Sequence, residues 1–366
     1  MSAPSNWSFY NPVQITGRCQ YLEALAKILP TAGNVLLVTS KGFTRRGVTA
    51  KMEAAIGRKV EVYDEVQPNP ELDALDLATA SLRNKDIQFV VALGGGSVID
   101  SAKVLAATLF APEGRTLHSI FREKKHAQQW YGRLPIIAIP TTSGTGAEVT
   151  PFATVWDTVT HSKHSVSGRA MFVDHALLDP SLTFSLPASV TLHSGLDAIS
   201  HSLESLWNRK SSPISEPIAM KALTLGLEAL PRVLAEPSHA EARAQMQEAS
   251  VLAGLAISLT QTAIAHSISY PLTSVYGVPH GLACSFTLPA LIEFFLASQS
   301  DGAVKAIMES ASDVLKKLNP ASGVLEHVDL PQMLALVDKM FHPERAANFA
   351  LPINREDVIE ILRHSV

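Results

Sequence analysis

Apolar positions in the first half of the chain fall into short runs, separated by stretches with helical spacing. Residues 34–39 (NVLLVT) read as a strand buried on both faces. Residues 58–66 (RKVEVYDEV) alternate like a second, and 86–93 (DIQFVVAL) and 134–139 (LPIIAI) read as a third and fourth. Helical spacing fills 71–83 and 97–110. This alternation predicts a parallel sheet covered by helices. Residues 152–167 (ATVWD, a polar turn, KHSVS) predict a hairpin at the periphery of the sheet. The pattern changes near Asp179-Pro180. From Pro187 onward Ala and Leu recur at helical spacing, predicting helices over 190–207, 217–230, 239–265 and 282–297. A helical tail follows, broken by links at Pro320, Pro331, Pro343 and Pro352. The expected organisation is an α/β domain over 1–180 and an all-α domain over 181–366.

Composition supports two cores: 366 residues, 46% hydrophobic and 17% charged. A net charge of −4 carries no basic footprint for nucleic acid. Two cysteines, Cys19 and Cys284, are too few for a disulfide framework. The N-terminal segment lacks a signal-peptide pattern. No run offers the roughly 20 apolar residues that span a bilayer. The expectation is a cytoplasmic protein acting on small molecules, with no nucleic-acid or membrane partner.

Two loops suit a phosphate. The strand ending at Leu93 runs into Gly94-Gly95-Gly96-Ser97, with Asp100 in the helix that follows. Glycines let backbone N–H groups approach an anion, and the helix N-terminus adds free donors and a positive dipole end. Ser97 is placed to cap that helix. Pro140-Thr141-Thr142-Ser143-Gly144-Thr145-Gly146-Ala147-Glu148 also follows a strand. Two such loops at the carboxyl ends of parallel strands point to a nucleotide site.

Asp197 and His201 stand four apart in GLDAISH and share a helix face. His266 and His280 are separated by Pro271, Gly277 and Pro279, so one helix cannot carry both. One carboxylate with three imidazoles suits Fe²⁺ or Zn²⁺ better than Mg²⁺ or Ca²⁺. The same residues also fit a surface helix pair and a hydrogen-bonded core histidine, and spacing alone leaves both readings open.

In combination and order, these motifs resemble the iron-containing (group III) alcohol dehydrogenases. The resemblance runs through Pro68-Asn69-Pro70, Gly94-Gly95-Gly96-Ser97 with Asp100, PTTSGTGAE, Lys163, Asp179-Pro180, GLDAISH and the His266/His280 pair. It implies a Rossmann-like N-terminal domain, a helical C-terminal domain of the dehydroquinate-synthase-like type, and an active site in the cleft between them. It assigns a divalent metal, Fe²⁺ first and Zn²⁺ second, to Asp197, His201, His266 and His280. It places NADH or NADPH against Asn69, Gly95, Gly96, Ser97, Asp100, Thr141, Thr142, Thr145 and Lys163, and it suggests a homodimer or larger assembly.

Two positions depart from the family pattern. Ser40 stands where NAD-selecting members carry an Asp, which removes repulsion of a ribose 2′-phosphate, with Lys41, Arg45 and Arg46 nearby. Tyr270 stands where many members have a further histidine, so it is expected to donate a hydrogen bond or to pack. FATVWD, KHSVSGRAMF and GLDAISHSLESLWNRKSSPIS resemble the phosphonoacetaldehyde reductases. Lys163, His164, Arg169, Arg209 and Lys210 are candidate partners for the phosphonate, and Thr260 and Gln261 candidate pocket residues. The alternatives are a general short-chain alcohol dehydrogenase, a glycerol-dehydrogenase- or dehydroquinate-synthase-like Zn²⁺ enzyme, and a non-catalytic nucleotide-binding protein.

Overall fold

A computed structural model describes residues 6–160, 162–298, 302–341 and 343–366. The opening positions of the N-terminal segment and His161 of the hairpin turn lie outside the described residues. The chain divides into two compact units.

The first unit comprises Asn11–Thr142 and Ala147–Thr183. Its strands are β1 (Gln14–Thr16), β2 (Asn34–Val38), β3 (Glu61–Tyr63), β4 (Ile87–Gly94), β5 (Ile136–Pro140), β6 (Phe152–Asp157), β7 (Ser162–Ser167) and β8 (His175–Leu177). Its helices are α1 (Tyr21–Ile28), α2 (Lys41–Arg45), α3 (Val48–Ile56), α4 (Leu72–Leu82), α5 (Gly96–Phe110) and α6 (Leu117–Phe121). Six strands form one parallel sheet in the order β1-β8-β5-β4-β2-β3. Central strands are apolar on both faces because both faces are covered. In β2 and β4, Leu36, Val38, Val90 and Ala92 enter one core with α4 and α5, while Val35, Leu37, Val91 and Leu93 enter the other with α1 and α3. Burying each such Val or Leu contributes about 1.5–3 kcal/mol. The strand expected over 58–66 shortens to Glu61–Tyr63, an edge strand in which only three residues pair. The expected hairpin is a separate two-stranded antiparallel sheet, β6 against β7.

The second unit comprises Ser143–Gly146, Phe184–Val366 and the N-terminal residues 6–10. Its main helices are α7 (Ala188–Leu206), α8 (Ser215–Ala235), α9 (Ala240–Thr260), α10 (Ile264–Tyr276), α11 (His280–Ala283), α12 (Leu288–Leu296) and α13 (Ala303–Leu318), and short helices lead on to Arg355–Ser365. Every residue of α7 from Gly195 to Leu206 is buried. The helix expected over 239–265 is broken. It ends at Thr260, Gln261 takes a left-handed φ of +63°, and α10 leaves at 105° to α9. Side chains hold the freed backbone groups: Asn208 donates to Gln261 O, Asn348 donates to Thr262 O, and Glu204 accepts from the Ala263 N–H. The helix expected over 282–297 is also two helices: α11 ends at Ala283, a turn follows, and α12 restarts at Leu288 with Pro289 in its opening turn. Pro320 and Pro331 likewise open short helices instead of lying in the links between them. No single helix among the described residues is long and apolar enough to cross a membrane.

Candidate active site

α7 carries Asp197, His201 and Glu204, three positions of one helix face. α10 brings His266, and His280 opens α11. The Nε2 atoms of His201, His266 and His280 lie 3.4, 3.5 and 3.7 Å from Asp197 Oδ1. The His201 and His266 rings stack at 4.8 Å, and His280 meets His266 edge-on at 5.2 Å. A charge-assisted N–H···O bond closes at about 2.7–2.9 Å, so these contacts are not a closed hydrogen-bond network. His266 Nε2 is buried and has no hydrogen-bond partner among the described residues. Three imidazole nitrogens around one carboxylate oxygen, one of them orphaned, fit a small borderline cation such as Fe²⁺ or Zn²⁺.

Cys284 joins the cluster with Sγ 3.6 Å from Asp197 Oδ1, and Asp197, His266, His280 and Cys284 place their donor atoms within 4.8 Å of one another. Burial, then the Asp197 charge, pushes its thiol well up. Without a metal it is an S–H directed at the carboxylate, and His201 Nε2 is a further nitrogen donor 3.4 Å from the same oxygen. Burial raises the Asp197 carboxyl, but the three histidines outweigh it and hold the group well below the usual carboxylate range.

Glu204 was not anticipated, although its place three residues beyond His201 on the same helix face was visible. It is fully buried. Its Oε2 accepts from His266 Nδ1 at 2.7 Å and from the Ala263 N–H at 3.0 Å, and its Oε1 accepts from the His266 N–H at 3.2 Å. Burial raises its pKa, but His266 and these N–H groups bring it below the ordinary value. The matching effect on His266 is upward: burial lowers it, while Glu204 and Asp197 outweigh burial. Glu204 thus assigns the His266 proton to Nδ1 and leaves Nε2 facing Asp197. This is the carboxylate–histidine arrangement common around metals.

Tyr270 lies one turn beyond His266 on α10. Burial pushes its hydroxyl up to about 12, so it keeps its proton. The Arg345 guanidinium lies 4.6 Å over its ring. Thr260 is buried and bonds Ser205, while Lys210 Nζ donates to Gln261 Oε1 at 2.6 Å and Arg209 Nε to Phe349 O at 2.8 Å. Thr145 falls in the helical unit, within a segment whose glycines are required. A Cβ on Gly144 would lie 2.5 Å from Ser194 O, and one on Gly146 (φ +58°) 2.5 Å from Gly254 Cα.

In the α/β unit, Ser40, the Gly94–Ser97 loop and Thr141-Thr142 follow β2, β4 and β5 in one row at the carboxyl edge of the sheet. Thr141 N donates to Gly94 O at 3.0 Å. A Cβ on Gly95 would meet Thr142 Oγ1 at 3.2 Å, so glycine permits this close approach. The cap of α5 is Gly95. Ser97 is already inside the helix, which corrects the expected capping role, and Gly96 and Ser97 contribute first-turn N–H groups instead. The Asp100 carboxylate accepts from Thr154 N at 2.8 Å and so pins the hairpin to α5. Burial raises it to about 6. Trp156 of the hairpin donates to Pro70 O at 2.8 Å, beside Asn69 with its left-handed φ of +60°. Lys163 Nζ lies 5.7 Å from the centroid of the Trp156 ring. Lys41 is paired with Glu65 at 2.6 Å, and Arg46 stacks on Phe43.

Comparison with known proteins decides the family. Residues 12–180 match the iron-containing alcohol dehydrogenase model, and residues 191–366 match the C-terminal model of the same family. The chain belongs to the iron-containing alcohol dehydrogenase family. It is an oxidoreductase of the alcohol dehydrogenase class, working with a divalent metal and a nicotinamide nucleotide. Among this family, it is 31% identical to sulfoacetaldehyde reductase of Bilophila wadsworthia over 85% of this chain and 86% of that protein. It is 35% identical to phosphonoacetaldehyde reductase of Streptomyces viridochromogenes over 73% and 68%. The crystal structure of sulfoacetaldehyde reductase from Bifidobacterium kashiwanohense in complex with NAD⁺ superposes with a TM-score of 0.88 at 29% identity, covering 99% of each chain.

Proposed function

We propose that this alcohol dehydrogenase reduces phosphonoacetaldehyde to 2-hydroxyethylphosphonate: aldehyde, reduced nicotinamide and one proton give alcohol and oxidised nicotinamide. The observation that carries the redox half is the convergence of three Nε2 atoms on Asp197 Oδ1 without a hydrogen bond of normal length. Asp197, His201, His266 and His280 would hold the metal. When bound, the metal supplies Lewis acidity toward the substrate oxygen and the nicotinamide carries the hydride. Asp197 contributes the compensating negative charge, and Glu204 keeps the His266 proton on Nδ1. Tyr270 stays protonated and offers its hydroxyl as a hydrogen-bond donor. The Gly95–Ser97 turn presents backbone N–H groups to a pyrophosphate. Ser40 sets no negative charge against a 2′-phosphate, so NADPH is accepted alongside NADH.

The substrate half rests on likeness to the phosphonoacetaldehyde reductase. A second reading, sulfoacetaldehyde, is favoured by the longer match to the two sulfoacetaldehyde reductases. Both substrates are two-carbon aldehydes bearing a tetrahedral oxyanion. The test is a panel of phosphonoacetaldehyde, sulfoacetaldehyde and propanal, run with NADH and NADPH on enzyme reconstituted with Fe²⁺ or Zn²⁺. A higher kcat/KM for phosphonoacetaldehyde than for the other two supports the reading. An equal or higher value for propanal removes it.

A further inference from the structure

We propose that Arg345 is the residue that binds the anionic head group of the substrate and so selects two-carbon aldehydes carrying a phosphonate or sulfonate. This rests on the substrate reading above and adds the group that does the selecting.

The placement is specific. Arg345 lies over the Tyr270 ring, and its Nη1 donates to Thr262 Oγ1. Those two contacts straddle the turn that carries His266: Thr262 precedes α10, and Tyr270 is one turn, about 5.4 Å, beyond His266. That is the scale of a two-carbon aldehyde with a head group. Ala263, next to Thr262, donates its N–H to the same Glu204 that holds His266. The guanidinium is therefore fixed to the element that carries the candidate ligand.

Its chemistry fits the task. Arg345 is half-buried, and among the described residues no carboxylate lies within ion-pair distance of it. Among the described residues, one of its five donors is engaged by protein, on Thr262. With its carbon 4.6 Å over the Tyr270 ring, the guanidinium keeps further N–H groups beyond the one on Thr262, and its fork matches two oxygens of a phosphonate or sulfonate. Two other candidate cations are already engaged. Arg209 and Lys210 are exposed and bonded to Phe349 O and Gln261 Oε1. No local pattern marks Arg345 in the sequence, because it meets α10 only through the fold.

The experiment compares wild type, Arg345→Met and Arg345→Lys, all metal-loaded, on phosphonoacetaldehyde, sulfoacetaldehyde and propanal. Binding of 2-hydroxyethylphosphonate is measured by calorimetry. In Arg345→Met, the ratio of kcat/KM for the anionic aldehydes to that for propanal falls by at least about 30-fold, the scale of losing one partner of a buried charge pair. The affinity for 2-hydroxyethylphosphonate falls in parallel. Arg345→Lys restores part of both, since an ammonium keeps the charge without the planar fork. If the Met variant does not fold, the Lys variant carries the test, and a ratio equal to wild type in it overturns the proposal. An unchanged ratio in a folded Met variant, or equal losses on all three substrates, also overturns it. Wild-type enzyme that prefers propanal defeats the substrate reading itself, which is a different result from anionic selectivity that survives without Arg345.

Discussion

Glu204→Gln isolates the carboxylate behind the candidate metal ligands with little change of shape. In the native site one oxygen of Glu204 accepts from His266 Nδ1 and Ala263 N, and the other from His266 N. Gln keeps one acceptor oxygen and turns the other into an NH₂ group facing N–H donors. Each charge-assisted bond of this kind contributes about 1.5–3 kcal/mol, and a buried donor left unpaired costs about 1–3 kcal/mol. His266 can relieve the conflict by moving its proton to Nε2, which would remove the lone pair that a metal needs. Loss of such a supporting carboxylate lowers metal affinity by about 10- to 100-fold, which is about 1.4–2.7 kcal/mol. The assay is competition between metal-stripped protein and a chromogenic chelator for Zn²⁺ or Co²⁺, for wild type, Glu204→Gln and Glu204→Asp. Circular dichroism checks that each variant folds. A purely structural role would lower the unfolding temperature without weakening metal binding. A folded Glu204→Gln protein with wild-type Zn²⁺ affinity would refute the reasoning.

Other outcomes follow from the same geometry. Adding Zn²⁺ to metal-stripped protein is expected to raise its Tm through preferential binding to the folded state, and Asp197→Asn to remove most of that rise in a thermal scan. Gly281→Ala should destabilise by about 1–3 kcal/mol or more in urea unfolding, because its Cβ would overlap His193 O and force apart a packed contact. Gly95→Ala should weaken NADH binding in a fluorescence titration while shifting Tm little, since the new methyl crowds Thr142 on the loop itself. Burial raises Glu148 from 4.5 to about 7 in the fold. The folded state therefore holds a proton that the unfolded state releases, and stability from this group is present below about pH 4.5 and lost as pH rises through about 7. Glu148→Gln should match wild type at the acid end and exceed it by on the order of 3 kcal/mol at neutral pH; equal stability of the two proteins at neutral pH would count against this.

Much of the fold was legible because the central strands are buried on both faces. NVLLV, IQFVVALG and IIAIP announce themselves without a partner. QIT and HAL, the strands β1 and β8, are three residues long at and beside the sheet edge and carry no comparable signal. The break between α9 and α10 was hidden for a different reason. Apolar spacing continues through Gln261 to His266, and the bend is made by Asn208, Glu204 and Asn348, which reach it from other elements. In the candidate site, the four-residue step from Asp197 to His201 announced one face of α7. Glu204 sits on that face, but nothing local marks it, because its partner, His266, is 62 residues away. Cys284 follows His280 by four positions, but it meets Asp197 only through packing of α11 against α7.

The bend ahead of α10 also sets an order of events during synthesis. Asn348 and Arg345 hold Thr262, and Ser267 donates to Met340 O. A nascent chain that has emerged only as far as α12 has already made Asp197, His201, Glu204, His266 and His280, yet lacks the Arg345, Asn348 and Met340 contacts that brace the bend and the first turn of α10. The four side chains are then present before the bend beneath His266 is fully braced. On this account the bend ahead of α10 is completed late, only after position 348 has been translated.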